Sequence, residues 1–405
     1  MTERHVAFDV PQAELERRWS VLQRYMQNRG IDALVITAEK NFEYVTGLRT
    51  PAWMIKARPM AVVVPSGGTP IPVAPAGVAA DIAATGIFAG LRVYRGFEST
   101  AVDALLQVIE EEGLSRSRIG VELGREQRLG LPVAEYRRLV DAIPAAEFTD
   151  GGEVLWSARM VKSDFELERL RKAGSITGEV YDALLAEIDD TWTERMVYAE
   201  FAAESIRRGA DSAGYVTIIG GRGHYDLQSS RARDRRIERG ELFWMDGGCV
   251  YRSYFSDYTR CAAIGKATSK QSDVYSRLLA TLVEMASAVR PGEPASAILM
   301  AAVKAAQQSG LDLVIPTRVG HGIGLDVTEP PSLAADDSTT LAAGMALAVE
   351  VGVMSDQGWF HLEENMSVTN QGAEFISART PVELPVLAGA AARAPGSGEP
   401  DGDRG

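Results

Sequence analysis

Apolar positions recur at three- and four-residue steps through residues 12–30, where Leu15, Trp19, Leu22 and Met26 line one face. That spacing predicts a helix, and Gly30 can end it in the left-handed conformation. The run IDALVIT (31–37) is short, apolar and rich in β-branched residues, which predicts a strand; NFEYVTGL follows it. AVVVP (61–65) and TPIPVAP (69–75) predict two more strands, joined through Ser-Gly-Gly. Helical periods over 98–113 and 132–142 flank the strand-like RIGVEL (118–123). This alternation predicts an α/β layer domain at the N-terminal end of the chain.

A charged stretch, ARMVKSDFELERLRKAG (158–174), comes next and marks a boundary. Ser163 can cap a helix with Glu166 three residues on, a capping box. Beyond it, helices are expected over 164–190, 193–208, 268–290 and 295–309. Strands are expected over 214–219, 241–247, 254–264, 345–352 and 361–368. Helices and antiparallel strands in blocks predict an α+β second domain. The chain ends in ARAPGSGEPDGDRG, which has no apolar period and reads as a disordered tail. The expected organisation is therefore 1–157, 158–382 and a tail over 383–405. No short-period repeat is present.

Composition narrows the function. The chain has 405 residues, 46% hydrophobic and 24% charged, with a net charge of -13. That length can bury a large core. The acidic balance argues against nucleic acid as a partner, because phosphate binding needs a basic face. No apolar run reaches membrane-spanning length, and the N-terminus lacks the apolar core of a signal peptide. The two cysteines, Cys249 and Cys261, make no disulfide framework, so a cytoplasmic location is expected and both should pack as small hydrophobes.

The candidate chemistry lies in the last part of the chain. Asp246 and Asp257 stand eleven positions apart in FWMDGGCVYRSYFSDYTR. An apolar strand leads to Asp246, Gly247-Gly248 permits a sharp bend, and the returning strand carries Asp257. A hairpin would bring both carboxylates to one end of a sheet, where they repel unless a cation lies between them. Asp246 directly follows Leu-Phe-Trp-Met, where an unpaired charge is costly. His321 lies in VGHGIGLDVTEPP, and the surrounding glycines would let the backbone approach a ligand closely. Glu350 ends the apolar run MALAVE. Glu363 and Glu364 alternate in FHLEENMSVT, so one should point inward and the other outward. Each of these signals alone is ordinary: an aspartate at a turn, a satisfied histidine, a solvated acidic pair. Together they offer four carboxylates and one imidazole, a ligand set for two divalent cations. Oxygen-rich donors with one imidazole suit manganese, iron or cobalt, with zinc also possible.

These residues resemble the pita-bread metallohydrolases, the family of methionine aminopeptidases, Xaa-Pro aminopeptidases, prolidases and creatinase. The likeness to its two-domain branch covers about residues 12–380. It includes GIDALVIT and NFEYVTGL near the start, and Arg159, Lys162, Ser163 and Glu166 at the entry to the second domain. The resemblance implies a creatinase-like N-terminal domain and a pita-bread catalytic domain. It places the metal ligands on Asp246, Asp257, His321, Glu350 and Glu363. It further implies a homodimer, in which Trp53 and Arg58 would close the pocket of the neighbouring subunit.

Departures from the family pattern are as informative. Ser229, Thr317 and Thr328 stand where the proline-specific peptidases carry accessory histidines, and His361 replaces an arginine two residues before the last glutamate ligand. The chain has four histidines, His5, His224, His321 and His361, and His224 lies five residues upstream of Ser229. Serine and threonine do not act as general acids near neutral pH, but they can donate a hydrogen bond to an oxyanion.

The expected activity is metal-dependent hydrolysis of a C–N bond in a small substrate or dipeptide, of Xaa-Pro peptidase or creatinase type. Asp257 and Glu363 would bridge two metals, Asp246 would serve one, and His321 and Glu350 the other. Glu350 is the candidate general base and His361 an orienting group or replacement acid. Ser229, Thr328 and His224 are candidate substrate contacts. The competing expectation is a non-catalytic or lyase-type member of the same fold.

Overall fold

The computed structural model describes residues 10–96, 100–221 and 223–387. The chain divides into two compact units, Met1–Met160 and Val161–Gly405. The first contains α1 (Gln12–Arg29), β1 (Ala33–Ile36), α2 (Glu39–Thr46), β2 (Ala61–Pro65), β3 (Ile71–Pro75), α3 (Ala76–Ala83), β4 (Arg92–Tyr94), α4 (Ala101–Glu111), β5 (Arg118–Val121), α5 (Val133–Ala142), β6 (Glu147–Asp150) and α6 (Gly152–Met160). Its six strands form one mixed sheet in the order β4-β3-β2-β1-β5-β6.

The helical face predicted for α1 is the buried one, and Gly30 adopts the left-handed cap at φ 62°. NFEYVTGL forms α2, closed by Gly47 at φ 69°. Its aromatic residues Phe42 and Tyr44 are buried. Ala33, Val35, Ala61 and Val63 pack against Leu105, Val108 and Ile109 of α4. Arg159 on α6 donates to Asn41 Oδ1 at 2.7 Å, which ties this residue of the expected linker into the first unit.

The second unit begins with α7 (Asp164–Glu187) and α8 (Glu194–Arg207), then β7 (Ser212–Gly220), β8 (Leu242–Tyr251), β9 (Tyr254–Phe255) and β10 (Tyr258–Ile264). Then come α9 (Ser269–Ala288), α10 (Ser296–Ser309), β11 (Gly320–Gly322), β12 (Glu329–Ser332), β13 (Ala346–Ser355), β14 (Gly358–Thr369), β15 (Gly372–Phe375) and β16 (Val386–Leu387). The capping box of Ser163 and Glu166 opens α7 with both hydrogen bonds in place. The strands make two sheets, β16-β10-β8-β7 with β9 on β8, and β12-β11-β13-β14-β15. Phe243 and Met245 of β8 join a core with Ile176 and Val180 of α7 and Phe201 of α8. The alternate residues Trp244 and Asp246 face the other way, into a cavity.

Four local expectations change. The bend anticipated at Gly247-Gly248 is not a turn, because β8 runs through both glycines. The turn lies at Arg252 and Ser253, which take positive φ values of 51° and 71° between the paired Tyr251 and Tyr254. Gly247 instead lets β8 approach β7: a Cβ there would meet the Tyr215 carbonyl oxygen at 1.8 Å. The glycines around His321 serve neighbouring strands in the same way. A Cβ on Gly320 would meet Ala348 O at 2.1 Å, and one on Gly322 would meet Pro330 O at 2.2 Å. Glu364 does not reach solvent. It points away from Glu363 but is buried, accepting from Thr380 N and Ser377 Oγ. Finally, 383–387 are held in the fold: Leu384 and Leu387 are buried and β16 pairs with β10. The rest of the expected tail, 388–405, lies outside the described residues.

Candidate metal centre

Strand register brings the acidic residues together. β13 and β14 pair antiparallel with Glu350 opposite Glu363 and Gly352 opposite His361. β8 and β10 pair with Asp246 opposite Thr259. β11 joins through His321 opposite Ala348 of β13. Asp257 occupies the gap between β9 and β10. Asn365 of β14 holds it there, accepting from the Asp257 N–H at 2.9 Å and donating to its carbonyl oxygen.

All five expected ligands line one cavity of about 310 Å³, together with His361. His321 Nε2 lies 3.7 Å from Asp257 Oδ2. His321 Nδ1 contacts Gly322 O at 3.0 Å, so Nδ1–H donates and Nε2 keeps its lone pair toward the cluster. Ligand atoms of Asp257, His321 and Glu363 converge within 4.8 Å, as do those of Glu350, His361 and Glu363.

The electrostatics favour a bound cation. Burial pushes Asp257 well above the ordinary carboxylate range, and the charges of Asp246 and Glu350 push it further. Burial does the same to Glu363, followed by the charges of Asp257, Asp246 and Glu350. Burial lowers the His321 pKa, which keeps the imidazole neutral. Asp257 Oδ1 is buried and has no hydrogen-bond partner among the described residues. Buried carboxylates that repel one another, an unpartnered oxygen and a neutral imidazole with its lone pair inward fit divalent cations. Asp246, Asp257, His321, Glu350 and Glu363 are the residues that would hold them.

His361 stacks on Trp359 with centroids 5.7 Å apart and meets the edge of Trp244 at 6.0 Å. Its Nε2 lies 3.1 Å from Glu350 Oε2. Burial alone would lower its pKa, but the hydrogen bond to Glu350 and the charges of Asp246 and Glu350 raise it overall. Burial likewise opposes ionisation of Glu350. The hydrogen bond and charge of His361, with His321 and Arg318, outweigh this and hold Glu350 below its usual range.

Ser229, Thr317 and Thr328 all line the cavity. His224 does not. Its loop instead sends Tyr225 and Leu227 onto Trp244 and Trp359, which displaces the imidazole from the lining. Trp53 and Arg58 belong to the first unit, where Trp53 packs edge-on against Phe42 at 5.3 Å and Arg58 is exposed.

Two site residues, Thr259 and Asn365, and one buried ion pair were not picked out from the sequence. Thr259 Oγ1 contacts Asp246 Oδ1 at 2.7 Å, and His361 Nδ1 and Glu363 Oε2 at 3.1 Å each. Its signal was its place two residues after Asp257, on the same face of an extended segment. Asn365, two residues after Glu363, carried the same signal. Lys162 and Glu329 form a fully buried ion pair at 3.0 Å beside Thr328, and nothing in their spacing announced it.

The profile of Metallopeptidase family M24 matches residues 168–370, and that of the Creatinase/Prolidase N-terminal domain matches 18–161. The chain belongs to metallopeptidase family M24 and has its two-domain, pita-bread form. It is 30% identical to the Xaa-Pro dipeptidase of Pyrococcus furiosus over 57% of this chain and 67% of that one. A solved dipeptidase from Mycobacterium ulcerans is 27% identical, with a TM-score of 0.79 over 94% of this chain and 99% of that one. The Xaa-Pro dipeptidase of Bacillus anthracis shares the fold, with a TM-score of 0.80 at 23% identity over 92% of this chain and 100% of that one. Among the described residues, no helix is long and apolar enough to cross a membrane.

Proposed function

We propose that this protein is a hydrolase with a dinuclear metal centre, cleaving the C–N bond of a small substrate of the Xaa-Pro dipeptide type. The observation that carries the reading is the convergence of Asp246, Asp257, His321, Glu350 and Glu363 on one cavity. Bound divalent cations would supply an activated water and Lewis acidity. Asp246, Asp257, His321, Glu350 and Glu363 would hold them, through four carboxylates and one neutral imidazole.

The chain's own groups handle the proton. Glu350 is the general base: it accepts the proton of the attacking water and passes it to the leaving nitrogen. The hydrogen bond from His361 at 3.1 Å fixes the orientation of the Glu350 carboxylate. The hydroxyls of Ser229, Thr317 and Thr328 are positioned along the wall to donate to developing negative charge. Trp244 and Trp359 keep His361 away from bulk water. A homodimer in which Trp53 and Arg58 of one copy face the cavity of the other is part of this proposal.

A second reading follows from the same wall. Hydroxyls at 229, 317 and 328 cannot shuttle protons as imidazoles do, which favours a small non-peptide substrate such as an amidine or cyclic amide. The test is metal per chain by elemental analysis, with turnover on an Xaa-Pro dipeptide panel. Two ions and dipeptide cleavage support the first reading. Two ions without cleavage shift it to the second, and a protein that takes up no metal overturns both.

A further inference from the structure

The cavity wall is not uniformly acidic. Val314, Ile315, Pro316 and Val327 make one side apolar, and Arg318 stands among them. Among the described residues that line the cavity, Arg318 is the one arginine or lysine. Its guanidinium makes a single long contact, Nη1 to Ser332 Oγ at 3.5 Å, and no ion pair with a described carboxylate. Other arginines of the second unit are engaged: Arg233 pairs with Glu194 at 2.7 Å and Arg235 with Glu241 at 2.6 Å.

A guanidinium has five donors in a planar fork, and one held half-buried without an anion is matched to a carboxylate from elsewhere. β14, which carries Glu363, has no arginine of its own. Arg318 is close enough for its charge to act on Asp257, His321 and Glu350, so an anion held by it would lie within reach of the acidic cluster. The cavity, about 310 Å³, suits a small molecule rather than a chain.

We propose that Arg318 is the specificity determinant of the cavity, anchoring a carboxylate of the substrate against the 314–319 wall while the scissile bond faces the acidic cluster. The substrate is then a small acid with an aliphatic body next to its carboxylate. This rests on the hydrolase reading of the site, but the anchor is testable without turnover.

The experiment is calorimetry on the metal-loaded full-length protein with isovalerate and its uncharged isostere isovaleramide. Isovalerate should bind about tenfold or more tightly than the amide, as expected for a charge-assisted hydrogen bond. Arg318→Gln should remove that preference and Arg318→Lys should keep part of it, with metal content and melting temperature unchanged in both. Equal binding of acid and amide overturns the inference. A preference that survives in Arg318→Gln also overturns it, because the anion is then held elsewhere. A preference that depends on Arg318, with no dipeptide in the panel cleaved, keeps the anchor and removes only the dipeptidase reading.

Discussion

Glu350 and Glu363 sit directly opposite each other on β13 and β14. Like charges in that position destabilise a strand pair unless something between them carries the opposite charge. Asp257 is held against the same point by Asn365. Asp257→Asn should therefore release most of the bound metal and lower activity by roughly 100-fold or more, since even residues behind the ligands matter tenfold to 100-fold. The N-terminal unit should stay folded. Elemental analysis with circular dichroism checks this, and unchanged metal content would remove Asp257 from the site.

The hydrogen-bond hub at Thr259 should matter nearly as much. Thr259→Val keeps the shape but leaves Asp246, His361 and Glu363 without their common partner. We expect metal affinity to fall about tenfold to 100-fold, and Thr259→Ser to restore most of it. Metal titration by competition with a chelator reads the difference.

His361 tests a different link. Its imidazole contacts Glu350 and packs between two tryptophans. His361→Ala should depress turnover by about 100-fold while metal content falls far less, in line with the usual contribution of an acid–base group. Loss of metal in proportion to activity would assign His361 to structure instead.

Stability should depend on pH differently in the chelated and the metal-loaded protein. Asp257 and Glu363 have folded pKa values above those of an unfolded carboxylate, chiefly through burial. Such groups take up protons on folding, so their stabilising contribution is complete at low pH and is lost as pH rises through the folded pKa. Chelated protein should melt a few degrees lower at about pH 8 than at about pH 6. Bound cations favour the ionised carboxylates, so the metal-loaded protein should lose this trend or reverse it. Identical slopes with and without metal in a melting series would contradict the assignment.

Gly247 should tolerate no side chain. It adopts φ 126°, and a Cβ would meet Tyr215 O at 1.8 Å. Gly247→Ala is expected to cost about 2–4 kcal/mol, because strain and a backbone clash act together. Denaturant unfolding of the variant measures it, and a loss under about 0.5 kcal/mol, the level of an ordinary surface change, would show that β7 can move aside.

Elements whose signals are local were legible in the order of residues along the chain. The face of α1, the start of α7 at the Ser163 cap and the strands around Asp246 and Glu350 follow from periodicity and capping chemistry, which neighbouring residues settle among themselves. The same order also brought out Asp246 and Glu350 as candidate ligands, because a carboxylate after a buried apolar run demands a partner. What those residues face depends on the assembled fold. Register placed Glu350 opposite Glu363 and Asp246 opposite Thr259, and it is set by pairing between strands far apart in the chain. The turn at Arg252–Ser253 was hidden because neither residue type favours positive φ. The glycines about His321 were assigned to a ligand because a sequence does not say which backbone comes close. Lys162 and Glu329 show the same limit: a buried ion pair spans 167 positions, and two charges at that distance carry no mark of each other until the fold removes them from water.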